Sequence, residues 1–286
     1  MTSENQLGDR LRDLEEQFAA LERPEFFAAE LVSRLTGISR LELTLHRDRP
    51  FSFEEAKQLD EWAARLASGE PLQYVVGRAN FRGLDLICDR RGLIPRPETE
   101  VLVEKVLEHE GLWAHPRPVV ADVGTGSGCI VCSLRAERPE ADYWAVDVSP
   151  EALSLARENA KMLGFEPEIR WQEGDLLAGF KSQSLHAIVA NLPYISEGEW
   201  IELGESVRNY EPSRALTGGN DGLELVRHLS RQAKSVLMPN GVIFLEVGDT
   251  QGVDGATLLE SDGYRNIQII PDLAGRDRIL IGENSG

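Results

Sequence analysis

The chain has 286 residues, 42% hydrophobic and 27% charged, which suffices for one large folded domain or two smaller ones and excludes wholesale disorder. The excess of 48 acidic over 30 basic residues gives a net charge of −18, which repels phosphate backbones and argues against a dedicated nucleic-acid-binding protein. With 3 cysteines, no apolar run near the roughly 18–20 residues of a membrane span, and no secretory signal pattern, we expect a cytoplasmic protein without disulfides or membrane contact.

The first third of the chain is predicted to be helical. Ser52, followed three residues later by Glu55, is the sequence pattern of a capping box at the start of a helix. No strand pattern precedes about residue 74, so we expect a small helical substrate-recognition domain over residues 1–75. Its first helix is predicted from five apolar residues that recur at spacings of three and four and therefore share one helical face: Leu7, Leu11, Leu14, Phe18 and Leu21.

The next segment has the composition of a linker. Two short strands are predicted on either side of Gly83, and a turn follows at residues 89–92. Pro97 then fits the first turn of a helix, where the acidic side chains of Glu98 and Glu100 interact favourably with free backbone N–H groups. We therefore expect a β-hairpin linker over residues 76–97 and a second domain over residues 98–286.

Strands and helices alternate after Pro118. Such alternation is typical of an open, doubly wound and mostly parallel α/β sheet, which binds its ligands at the carboxyl ends of the strands. A helix is predicted to begin at Ser149-Pro150, and another covers about residues 223–237. The strands are predicted at residues 119–123, 143–147, 186–190, 242–247, 267–270 and 279–281.

A glycine-rich loop follows the first of these strands. Its glycines allow a tight turn and a close approach of the backbone to a ligand. The dinucleotide-binding pattern would need a further glycine where Cys129 stands, which disfavours a nicotinamide-dependent dehydrogenase. The G-x-G-x-G spacing instead resembles the cofactor loop of S-adenosylmethionine-dependent methyltransferases, and it consists of Gly124, Thr125, Gly126, Ser127 and Gly128.

Two further acidic residues are candidates for contacts with the cofactor, and the first of them lies where the second predicted strand ends. Asp147 comes 23 residues after Gly124, and its carboxylate can accept hydrogen bonds from both hydroxyls of a ribose. Asp175 can accept a hydrogen bond from an adenine amino group, and the neighbouring Leu176 can pack on the adenine ring. An acidic residue at a strand end is also a common turn or capping residue, so these roles depend on the glycine loop.

The tetrapeptide Asn191-Leu192-Pro193-Tyr194 directly follows a predicted buried strand. The side-chain oxygen of Asn191 and the carbonyl of Leu192 can both accept hydrogen bonds from one planar NH2 group. Pro193 fixes the turn, and the Tyr194 ring can pack flat against a planar substrate. Because the lone pair of an amide or aromatic amine is delocalised, two such acceptors are needed to make its nitrogen a better nucleophile. A purely structural turn is the alternative interpretation.

Further segments combine with this tetrapeptide into a family pattern: residues 73–77 (QYVVG), 94–100 (IPRPETE), 210–223 and 275–278 (GRDR). Over roughly residues 70–282 the chain resembles the glutamine-N5 methyltransferases that modify peptide-chain release factors, the HemK/PrmC family. The resemblance implies a seven-stranded class I methyltransferase sheet, S-adenosyl-L-methionine as methyl donor and S-adenosyl-L-homocysteine as product. It also implies that the methyl acceptor is the side-chain amide nitrogen of the glutamine in the Gly-Gly-Gln motif of class I peptide chain release factors.

The resemblance implies roles for individual residues as well. Catalysis is expected from Asn191, Pro193 and Tyr194, and substrate binding from those residues together with Leu192, Arg96 and Glu98. The cofactor is expected to contact Gly124, Thr125, Gly126, Ser127, Gly128, Asp147, Asp175, Leu176 and Asn191.

One residue departs from the family pattern. The family usually has proline where this chain has Leu192, but the acceptor needed there is a backbone carbonyl, which leucine also supplies. The same tetrapeptide is common in ribosomal-RNA adenine dimethyltransferases, so an adenine-N6 methyltransferase acting on rRNA or DNA is the alternative. The net charge of −18 and residues 94–100 weigh against that alternative. A non-enzymatic binding module on the same fold is a further possibility.

Other residue patterns do not support additional chemistry. Cys129 and Cys132 have C-x-x-C spacing, but they fall inside a predicted helix and have no second pair, so buried packing residues are expected. The 5 histidines show no metal-ligand spacing. We therefore expect no metal site and no direct nucleic-acid partner.

Overall fold

The computed structural model describes residues 5–202 and 204–286, which form two compact units. The smaller unit comprises the chain up to Gly77 together with Glu205–Tyr210, and the larger one comprises Arg78–Gly204 and Glu211–Gly286. Within the described ranges, no helix is long and apolar enough to cross a bilayer.

The helices are α1 (Leu7–Gln17), α2 (Pro24–Thr36), α3 (Phe53–Ala67), α4 (Leu72–Val76), α5 (Pro97–Glu108), α6 (Glu110–Trp113), α7 (Cys129–Glu137), α8 (Pro150–Met162), α9 (Glu197–Glu202), α10 (Glu205–Tyr210), α11 (Glu224–Val236) and α12 (Gly252–Ser261). The strands are β1 (Arg78–Phe81), β2 (Leu84–Ile87), β3 (Val119–Val123), β4 (Asp142–Asp147), β5 (Ile169–Glu173), β6 (Leu185–Asn191), β7 (Leu237–Glu246), β8 (Tyr264–Pro271) and β9 (Asp277–Asn284).

The smaller unit is helical, as the sequence predicts. The capping box before α3 forms, because Glu55 donates its backbone N–H to the Ser52 hydroxyl at 3.1 Å and accepts the Ser52 N–H at 2.8 Å. The predicted apolar stripe extends beyond the first helix, because α1 ends at Gln17 while the following Phe18 is also buried. The core of this unit includes Leu7, Leu14, Phe18, Leu31, Val32, Leu59 and Leu66.

One helix joins this unit from far along the chain. Helix α10 belongs to the helical unit, and its Tyr210 hydroxyl donates to the backbone oxygen of Ser68 at 3.2 Å. The chain therefore passes between the two units three times: after Gly77, before Glu205 and after Tyr210. The sequence pattern does not indicate this return.

The larger unit is built on a seven-stranded sheet with the order β5-β4-β3-β6-β7-β9-β8. The pairs from β5 to β7 are parallel, and β9 is antiparallel to both of its neighbours. The doubly wound, mostly parallel sheet predicted from the sequence is confirmed. The chain winds outward in one direction through β4 and β5 and in the other through β6 and β7. The carboxyl ends of β3 and β6 consequently flank the crevice where such sheets bind ligands.

Strand β5 and helix α12 are among the elements of this unit that the sequence-based prediction lacks. Strand β5 lies at the sheet edge and exposes polar side chains, so it lacks the apolar run that marks the inner strands. Helix α12 contains two glycines, which are unfavourable in a helix interior. A Cβ on Gly255 would lie 2.4 Å from Leu280 Cδ1, so the missing side chain lets α12 pack directly on the sheet.

The β1–β2 hairpin forms around Gly83, as predicted, and belongs to the larger unit. Asn159 of α8, which is 0% exposed, connects the hairpin to the glycine loop. Its Oδ1 accepts the Ile87 N–H at 2.6 Å, and its Nδ2 donates to the carbonyls of Ile87 at 3.1 Å and Ser127 at 2.9 Å.

Replacing Asn159 with alanine should lower the free energy of unfolding by about 2–4 kcal/mol, because it leaves three backbone groups around a buried site without their partner. Denaturant titration measures the change. Asn80→Ala on the exposed face of β1 is the control and should change stability by less than about 0.5 kcal/mol. Equal losses in the two variants would contradict the role of Asn159.

Candidate active site

The glycine loop between β3 and α7 is held to the end of β4. The N–H groups of Gly124 and Thr125 both donate to the carbonyl of Val146, at 2.8 and 2.9 Å. Three glycines adopt positive φ, namely +74° at Gly124, +54° at Gly126 and +78° at Gly128. This left-handed conformation is strained for other residues, which agrees with the prediction that glycine is needed here for a tight turn.

The two loops that carry the predicted site are in contact. A Cβ on Gly124 would lie only 2.9 Å from Cδ2 of Leu192 and could not be accommodated without a shift. A Cβ on Gly126 would meet no atom nearer than 3.9 Å outside its chain neighbours, so this side of the loop is open. The tetrapeptide therefore packs against the start of the glycine loop and leaves its middle accessible.

A buried carboxylate supports the loop from beneath. Oδ2 of Asp122 accepts hydrogen bonds from the Thr125 hydroxyl at 2.6 Å and from the Val131 N–H at 3.1 Å. Burial raises the pKa of Asp122 to about 7 against the opposing effect of these hydrogen bonds. The Thr125 side chain thus faces inward, and a ligand would meet this part of the loop through backbone groups.

Asp147 lies beside the loop, as predicted. Its Oδ2 accepts the Gly126 N–H at 2.9 Å, and its Oδ1 accepts the Ser149 N–H at 2.9 Å. The pKa of Asp147 is raised by burial, which these backbone hydrogen bonds oppose. The carboxylate is therefore fixed at the end of β4 and retains lone pairs for a further donor.

Asp175 and Leu176 follow β5, and the neighbouring Gly174 donates its N–H to the carbonyl of Asp147 at 3.0 Å. Asp175 is exposed, whereas Leu176 is buried in the same apolar cluster as Leu192. Leu176 also has a positive φ of +52°, which is uncommon for a leucine. The turn that carries both residues is consequently tied to Asp147.

The tetrapeptide begins where β6 ends. Asn191 pairs in register with Glu246 at the end of β7, and its Nδ2 donates to the Thr99 hydroxyl at 3.0 Å. Leu192 is buried, and the Tyr194 hydroxyl donates to Oε1 of Glu246 at 3.4 Å. The amide of Asn191 and the ring of Tyr194 are thus both anchored to groups outside the tetrapeptide.

A second glycine-containing loop supports the tetrapeptide. A Cβ on Gly218 would lie 2.3 Å from the Pro193 carbonyl oxygen, and one on Gly222 would lie 2.0 Å from that of Tyr194. Gln251 donates from Nε2 to the Tyr194 carbonyl at 2.8 Å and accepts the Gly248 N–H at 2.8 Å. Glycines at 218 and 222 are part of the family pattern, but nothing in the sequence indicates Gln251.

Arg96 and Glu98 lie close to these groups. Arg96 forms an ion pair with the buried Glu211, with an Nη2–Oε1 distance of 2.5 Å. Burial raises the pKa of the Tyr194 hydroxyl, and the charge of Glu98 adds to this effect while that of Arg96 opposes it. The predicted substrate-binding residues are therefore gathered around Tyr194, although Arg96 already has a carboxylate partner.

Glu246 is the acidic residue that the sequence-based prediction lacks. It is 1% exposed, and burial raises its pKa to about 7. The available signal is a single acidic residue at the end of the apolar strand β7, at the same sheet edge as Asn191. Cys129 and Cys132 are buried in α7, and burial raises the pKa of the Cys129 thiol to about 12. These thiols agree with the predicted packing role.

The chain is similar to known methyltransferases over most of its length. A family model described as "PrmC N-terminal domain" matches residues 9–77, and one described as "Methyltransferase small domain" matches residues 97–205. A "Release factor glutamine methyltransferase" of Moorella thermoacetica is 39% identical over 282 residues and 98% of each chain. A protein of Enterococcus faecalis with the same description is 39% identical over 251 residues, which cover 86% of this chain and 88% of the Enterococcus chain.

Solved structures share the fold. A methyltransferase from Pyrococcus furiosus has a TM-score of 0.52 and 19% identity and covers 82% of this chain and 100% of its own. The hMettl16 catalytic domain in complex with MAT2A 3'UTR hairpin 1 has a TM-score of 0.55 and 18% identity and covers 82% of each chain.

The sheet, the glycine loop and these matches define a class I methyltransferase that depends on S-adenosylmethionine. Within that class, the chain belongs to the release factor glutamine methyltransferase family. These findings confirm the predicted family, fold class and cofactor. They exclude two of the alternative interpretations, the nicotinamide-dependent dehydrogenase and the non-enzymatic binding module. The roles of single residues and the domain limits stay predictions.

The observed groups fit this cofactor. The open middle of the glycine loop permits close approach of a ligand, and the fixed Asp147 carboxylate can accept hydrogen bonds from a ribose diol. We expect the loop and Asp147 to hold S-adenosylmethionine, with Asp175 and Leu176 toward its adenine.

Asp147→Ala should weaken the binding of S-adenosylhomocysteine by about 1.5–3 kcal/mol, because charge-assisted hydrogen bonds to the ribose are lost. Isothermal titration calorimetry measures the affinity. Asp142→Ala, at the opposite end of the same strand, is the matched control and should leave the affinity unchanged. Equal affinity of the Asp147→Ala variant and the wild type would remove Asp147 from the ribose role.

Proposed function

We propose that the protein methylates the side-chain amide nitrogen, N5, of the glutamine in the Gly-Gly-Gln motif of class I peptide chain release factors. The observation that carries this proposal is the orientation of the Asn191 amide. Its Nδ2 is committed to Thr99, which leaves Oδ1 to accept from a substrate NH2 group. The names of the relatives from Moorella thermoacetica and Enterococcus faecalis support the substrate class.

Bound S-adenosylmethionine supplies an electrophilic methyl group on its sulfonium. The residues of the tetrapeptide supply the geometry for the attacking nitrogen. Oδ1 of Asn191 and the carbonyl of Leu192 accept hydrogen bonds from the two amide N–H groups, which orients the nitrogen toward the methyl group and raises its electron density. The nitrogen forms its bond to the methyl carbon as the carbon–sulfur bond breaks to leave S-adenosylhomocysteine, and it loses one proton to water. The Tyr194 ring packs against the amide plane, and Pro193 restricts the turn that holds both acceptors. Positioning and electrostatics therefore provide most of the catalysis.

The support of the tetrapeptide explains how Leu192 can replace proline. The Leu192 side chain fills the space beside Gly124, and Gln251 holds the carbonyl of Tyr194 from the other side. Rigidity that proline would give through its ring is here provided by packing and by a hydrogen bond. The backbone carbonyl of Leu192 remains the second acceptor in this proposal.

Asn191→Ala should lower turnover by a factor of about 10²–10³ and leave S-adenosylhomocysteine affinity within about twofold, because one preorganised acceptor is lost. Leu192→Ala keeps the carbonyl and should cost far less. Single-turnover methylation of an intact release factor measures both. A release factor with alanine in place of the Gly-Gly-Gln glutamine and an adenine-containing RNA are the control substrates. Methylation of either control, or an Asn191→Ala enzyme as fast as wild type, would contradict the proposal.

We further propose that the helical unit recognises the release factor as a folded protein. The Phe53 side chain is 79% exposed on α3, on an open helix face that it shares with Ala56 and Ala64 and with the charged Lys57, Asp60 and Glu61. An exposed aromatic residue beside small apolar and charged side chains can serve as an anchor at a protein-binding surface. The net charge of −18 also disfavours direct contact with RNA.

Phe53→Ser should raise KM for an intact release factor by about tenfold, because an apolar anchor is lost, and should leave kcat unchanged. It should not alter KM for a short Gly-Gly-Gln peptide. Glu16→Ser on the exposed part of α1 is the control, with KM as in the wild type. An unchanged KM for the intact factor in Phe53→Ser would argue against this surface.

A further inference from the structure

Gln251 directly precedes α12 and is 8% exposed, yet its side chain makes no capping bond to the described first turn of that helix. A side chain at this position often accepts hydrogen bonds from the free N–H groups of the first turn. Oε1 of Gln251 instead accepts the Gly248 N–H at 2.8 Å, and Nε2 donates to the carbonyls of Tyr194 at 2.8 Å and Asp221 at 3.1 Å. The side chain therefore serves segments outside its own helix, and one of them is the tetrapeptide.

One orientation of the Gln251 amide satisfies all three of these backbone groups. A side-chain amide has two donors on its nitrogen and acceptor lone pairs on its oxygen. The carbonyls of Tyr194 and Asp221 need donors, whereas the N–H of Gly248 needs an acceptor. Rotation of the amide by a half turn would bring its oxygen against two carbonyls and its N–H groups against another N–H. The surroundings therefore fix this amide, and a carboxylate in its place could not donate to either carbonyl.

Tyr194 is held at two points by the segment of residues 246–251. The Tyr194 hydroxyl donates to Oε1 of Glu246 at 3.4 Å, and the Tyr194 carbonyl accepts from Gln251 at 2.8 Å. The hydrogen bond from the Gly248 N–H to Gln251 closes this segment on itself, since Gly248 follows Glu246 by two residues. The ring of Tyr194 lies between these two attachment points, so its direction depends on both of them.

The space between Gln251 and the tetrapeptide is filled. A Cβ on Gly222 would lie 2.0 Å from the Tyr194 carbonyl oxygen and 2.3 Å from Nε2 of Gln251. A Cβ on Gly218 would lie 2.9 Å from Cα of Tyr194. Close packing transmits the displacement of one group to its neighbours. A change at Gln251 is therefore expected to move the backbone of Tyr194, and the ring with it.

We propose that Gln251 is a positioning residue, which holds Tyr194 so that its ring packs against the substrate amide in the reactive orientation. This inference rests on the proposed function. In the proposed reaction, Gln251 contacts Tyr194 and not the reacting atoms, so its effect passes through the tyrosine. A misplacement of about 1 Å can lower the rate of a positioned reaction about 100-fold, so the hydrogen bond of Gln251 is expected to affect turnover.

The first test exchanges an amide for a carboxylate at two buried positions. Gln251→Glu removes both donors of that side chain while its shape is kept. Asn284→Asp is the matched control, because Asn284 is 3% exposed and donates to the carbonyls of Leu237 at 3.1 Å and Met238 at 3.3 Å. These carbonyls lie at the start of β7, whereas the tetrapeptide lies beside the end of that strand.

Both variants should unfold at lower denaturant concentrations than the wild type, because each leaves buried carbonyls without donors. We expect kcat on an intact release factor to fall by about tenfold or more in Gln251→Glu and to stay within about twofold in Asn284→Asp. The affinity for S-adenosylhomocysteine should stay within about twofold in both. If Gln251→Glu does not fold, Gln251→Met with Asn284→Leu as its control carries the same expectation. Wild-type kcat in the Gln251 variant, or an equal fall of kcat in the control, would overturn the inference.

The second test asks whether the loss of turnover passes through Tyr194. Tyr194→Ala removes the ring, so Gln251→Glu has no ring left to displace in the double variant. We expect kcat of the double variant to lie within about threefold of that of Tyr194→Ala, although Gln251→Glu alone costs about tenfold. Effects that multiply in the double variant would overturn the inference.

A third measurement needs no substrate and thereby separates this inference from the proposed function. The N–H of Ile195 donates to the carbonyl of Leu216 at 2.9 Å, and the N–H of Gly218 donates to that of Ile195 at 2.9 Å. We expect both amides to exchange with solvent about tenfold faster in Gln251→Glu than in Asn284→Asp, as followed by NMR. Equal exchange in the two variants would refute the inference alone. Wild-type protein that transfers no methyl group to a release factor would refute the proposed function, while the exchange rates would still decide whether Gln251 holds the tetrapeptide.

Discussion

The absence of a side chain at Gly124 allows the two loops of the site to touch. Leu192 occupies the space that a Cβ would need, so the glycine loop after β3 and the tetrapeptide after β6 can lie against each other. The reversal of strand order at β3 brings the two loops to the same edge of the sheet. In the proposed reaction, the methyl donor and the methyl acceptor meet only if these loops are neighbours. The contact at Gly124 thus determines the spacing on which the remaining residues depend.

Two buried acids serve the two loops in similar ways. Asp122 accepts a hydrogen bond from the Thr125 hydroxyl under the glycine loop, and Glu246 accepts one from the Tyr194 hydroxyl behind the tetrapeptide. A buried carboxylate is costly unless hydrogen bonds satisfy it, and its pKa rises accordingly. In both places a hydroxyl group of the loop itself, that of Thr125 or Tyr194, links the loop to the buried acid. Burial of each carboxylate costs free energy, but each carboxylate orients a loop of the site through its hydrogen bond.

The features of the fold that could be predicted from the sequence are those that depend on local residue patterns. The apolar runs of the inner strands, the capping box at Ser52 and the glycine loop depend on residues close together in the chain, and the structure contains each of them. Strand β5 is missing from the sequence-based prediction because its pairing with β4, and not its own residue pattern, makes it a strand. The roles of Glu246 and Gln251 are missing from the prediction for a related reason. Their partners lie more than fifty residues away, at Tyr194, and only the register of β6 and β7 brings them together.

The return of α10 to the helical unit has a consequence for how such a gene can be rearranged. Deleting the codons up to Gly77 would remove Ser68 but leave Tyr210, its hydrogen-bond partner, within the remaining chain. A free-standing catalytic fragment therefore requires two edits, a new start after Gly77 and a short connector in place of Glu205–Tyr210. Deletion of the first 77 codons alone would leave Glu205–Tyr210 in the chain without the helical unit to which it belongs.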